Sequence, residues 1–524
     1  MRRQMCALVL GLVLVVPPGN VSAQTFPTSD PILEQIWQQG MEHSQLYTLA
    51  QALMDSIGPR LTGSPELLSA NEWAVAKLES WGIEARNEQY GTWMGWTRGI
   101  SHVDLLEPRV RSLNGMMLAW SPGTDGKVTG EAVILPELAS VADLEAWLPE
   151  VRGTFVLMSM AQPTCRPDAN WEEFAMASSF QRMRAERSEA QQAWRERTSG
   201  TELSNAELVR RIEDAGALGI LTSNWPGAWG TNRIFSASTE KVPTFDVSCE
   251  DYGLVYRLAA HGQHPVLQME AESDFAPGAP LYNTIGEIRG TEKPDEYVLL
   301  SAHYDAWDGG SGATDNGTGS VTMMEAMRIL KAVYPNPKRT IIMGLWNSEE
   351  QGLNGSRAFA ADHPDVVEGM QALFNQDNGT GRIVRASTSG LPGAAPFFAR
   401  WFAALPQEIS QHIDLSFPGN PSSGGTDHAS FVCAGAPAFS LGSLSWDYFR
   451  YTWHTNLDTF DKLVFDDLKN NATLVAMLAY MASEEPERIP RDQRVLPVNP
   501  RTGEQREWPT CREPTRSWEA YRNR

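Results

Sequence analysis

Histidine and carboxylate side chains recur at short intervals in the second half of the chain. They are His303, Asp305, Asp315, Glu349, Glu350, Asp377 and His454. Imidazole nitrogens and carboxylate oxygens bind zinc and similar divalent cations, and two ions about 3.5 to 4 Å apart need one carboxylate that bridges them. Each residue alone has an ordinary structural explanation, such as a turn or the start of a helix. Taken together, these residues predict a site for two metal ions.

The elements that must position these side chains are the strands that precede them. Apolar runs predict strands at 297–301, 340–346 and 370–375. At least one of the histidine and carboxylate residues named above follows each run within a few residues. Beyond Ala276, predicted strands alternate with helices, which is typical of a largely parallel sheet covered by helices. Ligands of such sheets bind beyond the carboxyl ends of the strands. The sequence therefore predicts that the metal-binding residues meet at one edge of the sheet.

The order and spacing of these residues resemble the co-catalytic zinc aminopeptidase and glutamate carboxypeptidase family, which has the signatures H-x-D, A-x-D-N, E-E, D and a late H-T-x-x-D. The matching segments are 58–64, 106–109, 303–319, 346–352, 425–427 and 454–459. The resemblance implies an α/β zinc-exopeptidase fold, with a mixed, largely parallel sheet flanked by helices. It also implies that a strand-rich protease-associated domain is inserted into the catalytic domain.

The resemblance further implies how the ligands divide between two Zn²⁺ ions. His303, Asp315 and Asp377 would bind one Zn²⁺, and Asp315, Glu350 and His454 would bind the other, so that Asp315 bridges the pair. The two ions would lower the pKa of a water molecule between them and polarise the carbonyl group that this water attacks.

Three more side chains receive expected roles from the same resemblance. Glu349 would be the general base, which takes the proton of the water and returns it to the leaving amine. Asp305 would orient His303 through the second ring nitrogen of the imidazole. Asp427 would hold the amino group of the substrate, and a cap on the following helix is the equally weighted alternative.

The predicted function is hydrolysis of peptide bonds in short unblocked peptides or dipeptides. A broad aminopeptidase is the first alternative. The second is a non-catalytic receptor or binding module on the same fold, and the complete set of ligands counts against it. A zinc glutaminyl cyclase is the third, and the predicted insertion counts against that one. Short peptides are the expected partners, and the formation of a homodimer stays open.

The chain divides into four predicted parts. Two arginines at the start, an apolar run at 6–16 and small residues at 21–23 predict a signal peptide at 1–23, and so a secreted or periplasmic protein. The remaining parts are the split catalytic domain at 24–120 and 275–485, the protease-associated domain at 121–274, and a Pro- and Arg-rich tail at 486–524. Trp508 and Trp518 would dock the tail onto the body, and a disordered tail is the alternative.

Composition excludes some classes of partner. The formal net charge is −21, and removal of the signal peptide with its two arginines lowers it to −23. Such an acidic chain is not expected to bind nucleic acids or anionic membrane surfaces, and no segment after the signal is long and apolar enough to cross a membrane. Four cysteines remain, Cys165, Cys249, Cys433 and Cys511. Their spacing does not fit a zinc finger, and both disulfides and free thiols stay open.

Overall fold

The structure is a computed structural model, and it describes residues 26–377, 379 and 381–523. The predicted signal peptide lies outside the described residues. The α-helices are α1 (Pro31–Trp37), α2 (Leu46–Gln51), α3 (Pro65–Ser80), α4 (Val141–Val151), α5 (Asp168–Phe174), α6 (Ala177–Glu196), α7 (Asn205–Asp214), α8 (Cys249–Ala260), α9 (Thr318–Val333), α10 (Asn354–Asp362), α11 (Pro364–Gly369), α12 (Ala395–Ala404), α13 (Gln407–Ser410), α14 (Ala429–Val432), α15 (Tyr448–Tyr451), α16 (Phe465–Glu484) and α17 (Trp518–Arg522). The strands are β1 (Glu84–Glu107), β2 (Arg111–Ser112), β3 (Gly115–Met117), β4 (Val128–Ile134), β5 (Phe155–Leu157), β6 (Gly219–Thr222), β7 (Thr244–Val247), β8 (Val266–Ile288), β9 (Lys293–His303), β10 (Arg339–Trp346), β11 (Met370–Gln376), β12 (Ile383–Ser387), β13 (Asp414–Ser416) and β14 (Ala438–Ser443).

The sheet that carries the predicted site is mixed and largely parallel, so the expected fold class is confirmed. Strand β9 lies between β10 and β11 and is parallel to both, and β14 continues the parallel set beside β11. Antiparallel pairs flank this centre, with β8 beside β10 and β12 beside β14. Every residue of β10 is buried. A strand covered on both faces reads as a continuous apolar run, which is why this segment was recognisable in the sequence.

Helices cover both faces of the sheet. Successive side chains of a strand point to opposite faces, and β9 shows this directly. Val298 and Leu300 belong to the same apolar cluster as residues of α9 and α16. Leu299 belongs to a second cluster that includes Phe359 of α10. The sheet is therefore the middle layer, and its strand ends are held from both sides.

Helix α3 begins at a sequence pattern that is typical of a helix start, a serine followed by a proline. The Ser64 hydroxyl accepts a hydrogen bond from the Leu67 N–H at 3.1 Å, and Pro65 is the first residue of α3. A serine cap satisfies one of the free N–H groups at a helix start, and proline suits the first helical position. The face of α3 that bears Leu67, Ala70 and Leu78 is buried, as the apolar spacing predicts.

Two long strands join the parallel sheet to the strand-rich region, and no sequence pattern indicates their length. Strand β1 has 24 residues and β8 has 23, and they pair antiparallel from Glu84 opposite Glu287 to Glu107 opposite Val266. Strand β4 continues the sheet from the far end of β8, followed by β5, β6, β7 and β3. We call residues 121–274 the insert. Because β8 crosses residue 274, the insert and the catalytic region share one continuous ribbon.

The longest helices differ in their surroundings. Helix α6 lies in the insert, and Met183 is its single buried residue, so this charge-rich segment forms a solvated helix. Helix α16 is buried along most of its length against the sheet. Among the residues that the structure describes, no helix combines the length and the apolarity that a membrane crossing requires.

The tail after residue 485 wraps around the body. The Trp508 ring N–H donates to the Val432 carbonyl at 2.8 Å, and the Trp518 ring lies 5.2 Å from that of Trp120, which directly precedes the insert. A disulfide joins Cys433 to Cys511 in the tail, and a second joins Cys165 to Cys249 within the insert. Of the alternatives left open by the sequence, the structure therefore has the docked tail and not the disordered one, and disulfides and not free thiols.

Candidate active site

Three neighbouring strand ends bring the predicted metal ligands together. His303 is the last residue of β9 and pairs with Trp346, the last residue of the parallel strand β10. Asp377 directly follows β11, on the other side of β9. Because all three strands run in the same direction, the residues at their carboxyl ends meet at one edge of the sheet.

The five predicted ligands form two triads that share Asp315. The ligand atoms of His303, Asp315 and Asp377 lie within 4.8 Å of one another, and so do those of Asp315, Glu350 and His454. His303 Nε2 lies 3.4 Å from Asp315 Oδ1, whereas His454 Nε2 lies 3.4 Å from Asp315 Oδ2. The two oxygens of one carboxylate thus face two different histidines.

The donor set fits zinc in its chemistry and its spacing. Zn–N and Zn–O bonds of about 2.0 to 2.2 Å in a tetrahedral site separate neighbouring donors by about 3.4 Å. His303 Nε2 lies 3.2 Å from Asp377 Oδ1, and His454 Nε2 lies 2.8 Å from Glu350 Oε2. Asp315 Oδ2 and Glu350 Oε1 are buried and have no hydrogen-bond partner among the described residues. Such atoms favour a bound cation, since a buried carboxylate oxygen otherwise needs a donor.

The electrostatics of the cluster also favour a cation. Burial and the like charges of Asp377 and Glu350 raise the pKa of Glu349 well above its ordinary value, and burial with Asp315 does the same to the pKa of Glu350. Burial opposes the charge on His303, but Asp377 and Glu349 raise its pKa well above 6.5. Positive charge among these carboxylates would relieve the repulsion that holds protons there.

Asp305 fixes the segment that carries the two glutamates. Its carboxylate accepts hydrogen bonds from the N–H groups of Glu349 at 3.1 Å and Glu350 at 3.3 Å, and from the Thr62 hydroxyl at 3.1 Å. His303 Nδ1 lies 3.8 Å from this carboxylate and 3.0 Å from the main-chain oxygen of Asp305. The imidazole of His303 therefore lies closer to the main-chain oxygen of Asp305 than to its carboxylate, although the carboxylate was expected to orient the ring.

The turn that presents Asp315 is held by two residues to which the sequence assigned no role. Asp458 Oδ1 accepts from the Thr314 N–H at 2.7 Å, and Asp458 Oδ2 accepts from the Asp315 N–H at 3.0 Å. The buried Arg60 guanidinium donates to the carbonyls of Tyr304 at 2.7 Å and Gly312 at 2.9 Å. Both residues lie within segments that carry the family resemblance, but only the fold shows what they contact.

Asp458→Asn is expected to weaken both metal sites. The carboxylate of Asp458 accepts hydrogen bonds from two backbone N–H groups, and the side-chain NH₂ of asparagine would face one of them and repel it. Loss of groups that orient a ligand typically costs about 10- to 100-fold in metal affinity. Zinc affinity measured by competition with a chelator tests this expectation. Asp461→Asn is the matched control, since Asp461 lies on the same loop and pairs with Lys462. Equal zinc affinity in Asp458→Asn and the unsubstituted chain would contradict the assignment.

Asp427 lies close to the charged cluster, where burial raises the pKa of its carboxyl to about 7. It is fully buried, and neither of its oxygens has a hydrogen-bond partner among the described residues. Helix α14 begins after His428 with no side-chain cap. The capping alternative for Asp427 is therefore not realised, and its function stays a prediction.

Solved structures share this fold. The Peptidase M28 precursor from Shewanella amazonensis SB2B is 25% identical, with a TM-score of 0.64 over 88% of this chain and 98% of that one. BSAP, a zinc aminopeptidase from Bacillus subtilis, is 18% identical, with a TM-score of 0.54 over 86% of this chain and 96% of that one.

Curated relatives cover most of the chain. Carboxypeptidase Q from Mus musculus is 27% identical over 454 residues, and carboxypeptidase Q from Homo sapiens is 26% identical over 454 residues. Each alignment spans 86% of this chain and 88% of the relative. With the fold and the donor set, these relatives define the chain as a zinc-dependent exopeptidase. Residues 283–479 match the model of Peptidase family M28. Both triads lie inside the matched segment.

Proposed function

We propose that the chain is a di-zinc exopeptidase that hydrolyses short peptides with a free amino terminus, dipeptides included. The observation that carries the proposal is the position of Asp315, whose Oδ1 faces His303 and whose Oδ2 faces His454 at the same distance, 3.4 Å. A single metal ion would need only one of the triads. A shared carboxylate between two complete triads is the arrangement that a two-metal site requires.

In this proposal the residues around the triads carry the proton transfers. The zinc ions would supply a polarised carbonyl group and a more acidic water. Glu349 belongs to neither triad, and its neighbour Glu350 binds metal, so Glu349 is free to take the proton of the attacking water. A carboxylate beside the attacking water can accept that proton and release it to the leaving amine.

The unblocked amino terminus of the substrate matches Asp427. A buried carboxylate without a hydrogen-bond partner is expected to bind a cationic group. Every peptide with an unblocked amino terminus carries such a group, the protonated α-amino group. The likeness to carboxypeptidase Q over 86% of the chain supports an exopeptidase. A broad aminopeptidase stays the second candidate. The non-catalytic receptor is disfavoured, because both triads and Glu349 are complete.

We further propose that the protein is secreted or periplasmic and that the insert is a protease-associated domain. The two disulfides support an oxidising location, since such bonds are rare in the cytosol. The parallel strands β4, β5 and β6 with their helices support a separately evolved module attached to the catalytic region.

A panel of three substrates tests the proposed function. We expect the purified protein to cleave an unblocked dipeptide, to leave its N-acetylated form intact, and to lose activity when a chelator removes zinc. Efficient trimming of a longer free peptide would move the assignment to a broad aminopeptidase. Absence of metal-dependent cleavage of every substrate would contradict an enzymatic function.

A further inference from the structure

A segment of the insert pairs with the main chain at His454 and at the two residues that follow it. The Ile234 N–H donates to the His454 carbonyl at 2.8 Å. The Asn456 N–H donates to the Asn232 carbonyl at 3.1 Å, and the Asn232 N–H donates to Asn456 Oδ1 at 2.8 Å. Arg233 and Thr455 form an antiparallel bridge between these bonds. Residues 231–235, which we call the clamp segment, thus hold the loop that carries one metal ligand.

The backbone of His454 needs such support. Its φ is +56°, in the left-handed region that side chains other than glycine and asparagine seldom adopt. Residues persist there when the surrounding structure imposes the conformation. The hydrogen bonds from Ile234 and Asn232 come from the clamp segment, so the insert supplies that constraint.

The imidazole ring of His454 is also oriented in an unusual way. Metal-binding histidines commonly donate their second ring nitrogen to a carbonyl or carboxylate, which fixes the ring. His303 has such a neighbour, because its Nδ1 lies 3.0 Å from the main-chain oxygen of Asp305. His454 Nδ1 has no hydrogen-bond partner among the described residues. Packing must therefore set the orientation of the His454 ring.

Part of that packing comes from the clamp segment, and the Trp307 ring, 5.8 Å away, adds to it from outside. The Phe235 ring lies 5.1 Å from the His454 ring at an interplanar angle of 78°, an edge-to-face contact. Trp453 stacks on His454 with centroids 3.9 Å apart. The Arg233 guanidinium lies 4.9 Å above the Trp453 ring, and its Nη2 donates to the Phe449 carbonyl at 2.7 Å. Arg233 and Phe235 thus enclose His454 from the side of the insert.

We propose that the clamp segment is a positioning element for the metal site made by Asp315, Glu350 and His454, and that it sets the zinc affinity of this site and not of the other. The inference rests on the proposed two-zinc function. It gives the insert a part in the reaction, since the second triad is held in shape only while the insert is docked on the His454 loop.

The test measures zinc binding at each site separately. Asp377→Ala leaves the triad of Asp315, Glu350 and His454, whereas Glu350→Ala leaves the triad of His303, Asp315 and Asp377. We introduce Phe235→Ala or Arg233→Ala into each background and measure the zinc dissociation constant by competition with a chelator. We expect it to rise about 10- to 100-fold in the Asp377→Ala background, the usual cost of losing groups that orient a ligand. In the Glu350→Ala background it should not change.

Arg166→Ala is the matched control. Arg166 is another arginine of the insert that stacks on a tryptophan, 5.4 Å from the Trp229 ring, but both residues lie inside the insert. It should leave both dissociation constants unchanged. Equal weakening in both backgrounds would show general destabilisation and would overturn the proposal, as would unchanged affinity in the Asp377→Ala background.

The failure of this inference is distinguishable from the failure of the proposed function. If the unsubstituted protein binds two zinc ions and cleaves dipeptides while the clamp variants bind zinc normally, the positioning role is wrong and the function stands. If the unsubstituted protein does not bind two zinc ions, both proposals fail together.

Discussion

Glu349→Gln is expected to retain both zinc ions and to lower kcat for a free dipeptide by about 10²- to 10⁴-fold, the usual contribution of a general base. Glutamine has nearly the shape of glutamate but cannot accept the proton of the attacking water. The Glu349 N–H that donates to Asp305 is part of the backbone, so the substitution leaves the position of Glu350 unchanged. Steady-state kinetics together with the zinc content of the purified variant provide the measurement.

Glu350→Gln is the natural comparison for this variant. It alters the adjacent residue by the same chemistry, but Glu350 Oε2 lies 2.8 Å from His454 Nε2 within a triad. We therefore expect this variant to lose zinc from one site, whereas Glu349→Gln keeps the full complement. Turnover of Glu349→Gln near that of the unsubstituted enzyme would rule out Glu349 as the base.

Asp315→Asn is expected to weaken both zinc sites at once and to abolish peptide hydrolysis. The carboxylate is shared by the triads, so the loss of its charge removes the link between them. Burial raises the pKa of Asp315, but the two histidines lower it by a larger amount. The pKa therefore ends below its ordinary value, which favours the anionic form. An uncharged amide cannot replace an anion in both sites. Zinc content after dialysis gives the direct readout.

Asp377→Asn is the control for the bridging role, since Asp377 belongs to one triad only. We expect Asp377→Asn to retain zinc at the site of Glu350 and His454, and Asp315→Asn to retain tightly bound zinc at neither. If Asp315→Asn kept one zinc ion with the affinity of the unsubstituted protein, Asp315 would be an ordinary ligand of a single site.

The sequence was most informative where local pattern and chemistry coincide. Strands β9, β10 and β11 are buried on both faces, so they stand out as apolar runs, and the ligands come directly after them. The residues Ser64 and Pro65 indicate in the sequence where helix α3 begins. These signals are contained within about ten residues, and the structure agrees with them closely.

Features that depend on distant contacts were not predictable. Asp458 meets the Asp315 N–H across 143 residues of sequence, and Asn232 meets Asn456 across 224. Neither pair has a local pattern that reveals it. The long pairing of β1 with β8 is equally hidden from the sequence, because mixed burial and shifts of register interrupt any simple alternation along β1. Trp508 and Trp518 indicated how the tail could dock, but the sequence left a disordered tail open, since spacing alone does not give the Cys433–Cys511 bond.

The reconstitution of the zinc-free protein tests the central claim most directly. Zinc is removed with a chelator, returned in measured equivalents, and the hydrolysis of an unblocked dipeptide is followed at each step. The two triads predict that activity reaches its full value when two zinc ions are bound per chain. Full activity without zinc, or a plateau at one bound ion with the second adding nothing, would contradict the di-zinc account.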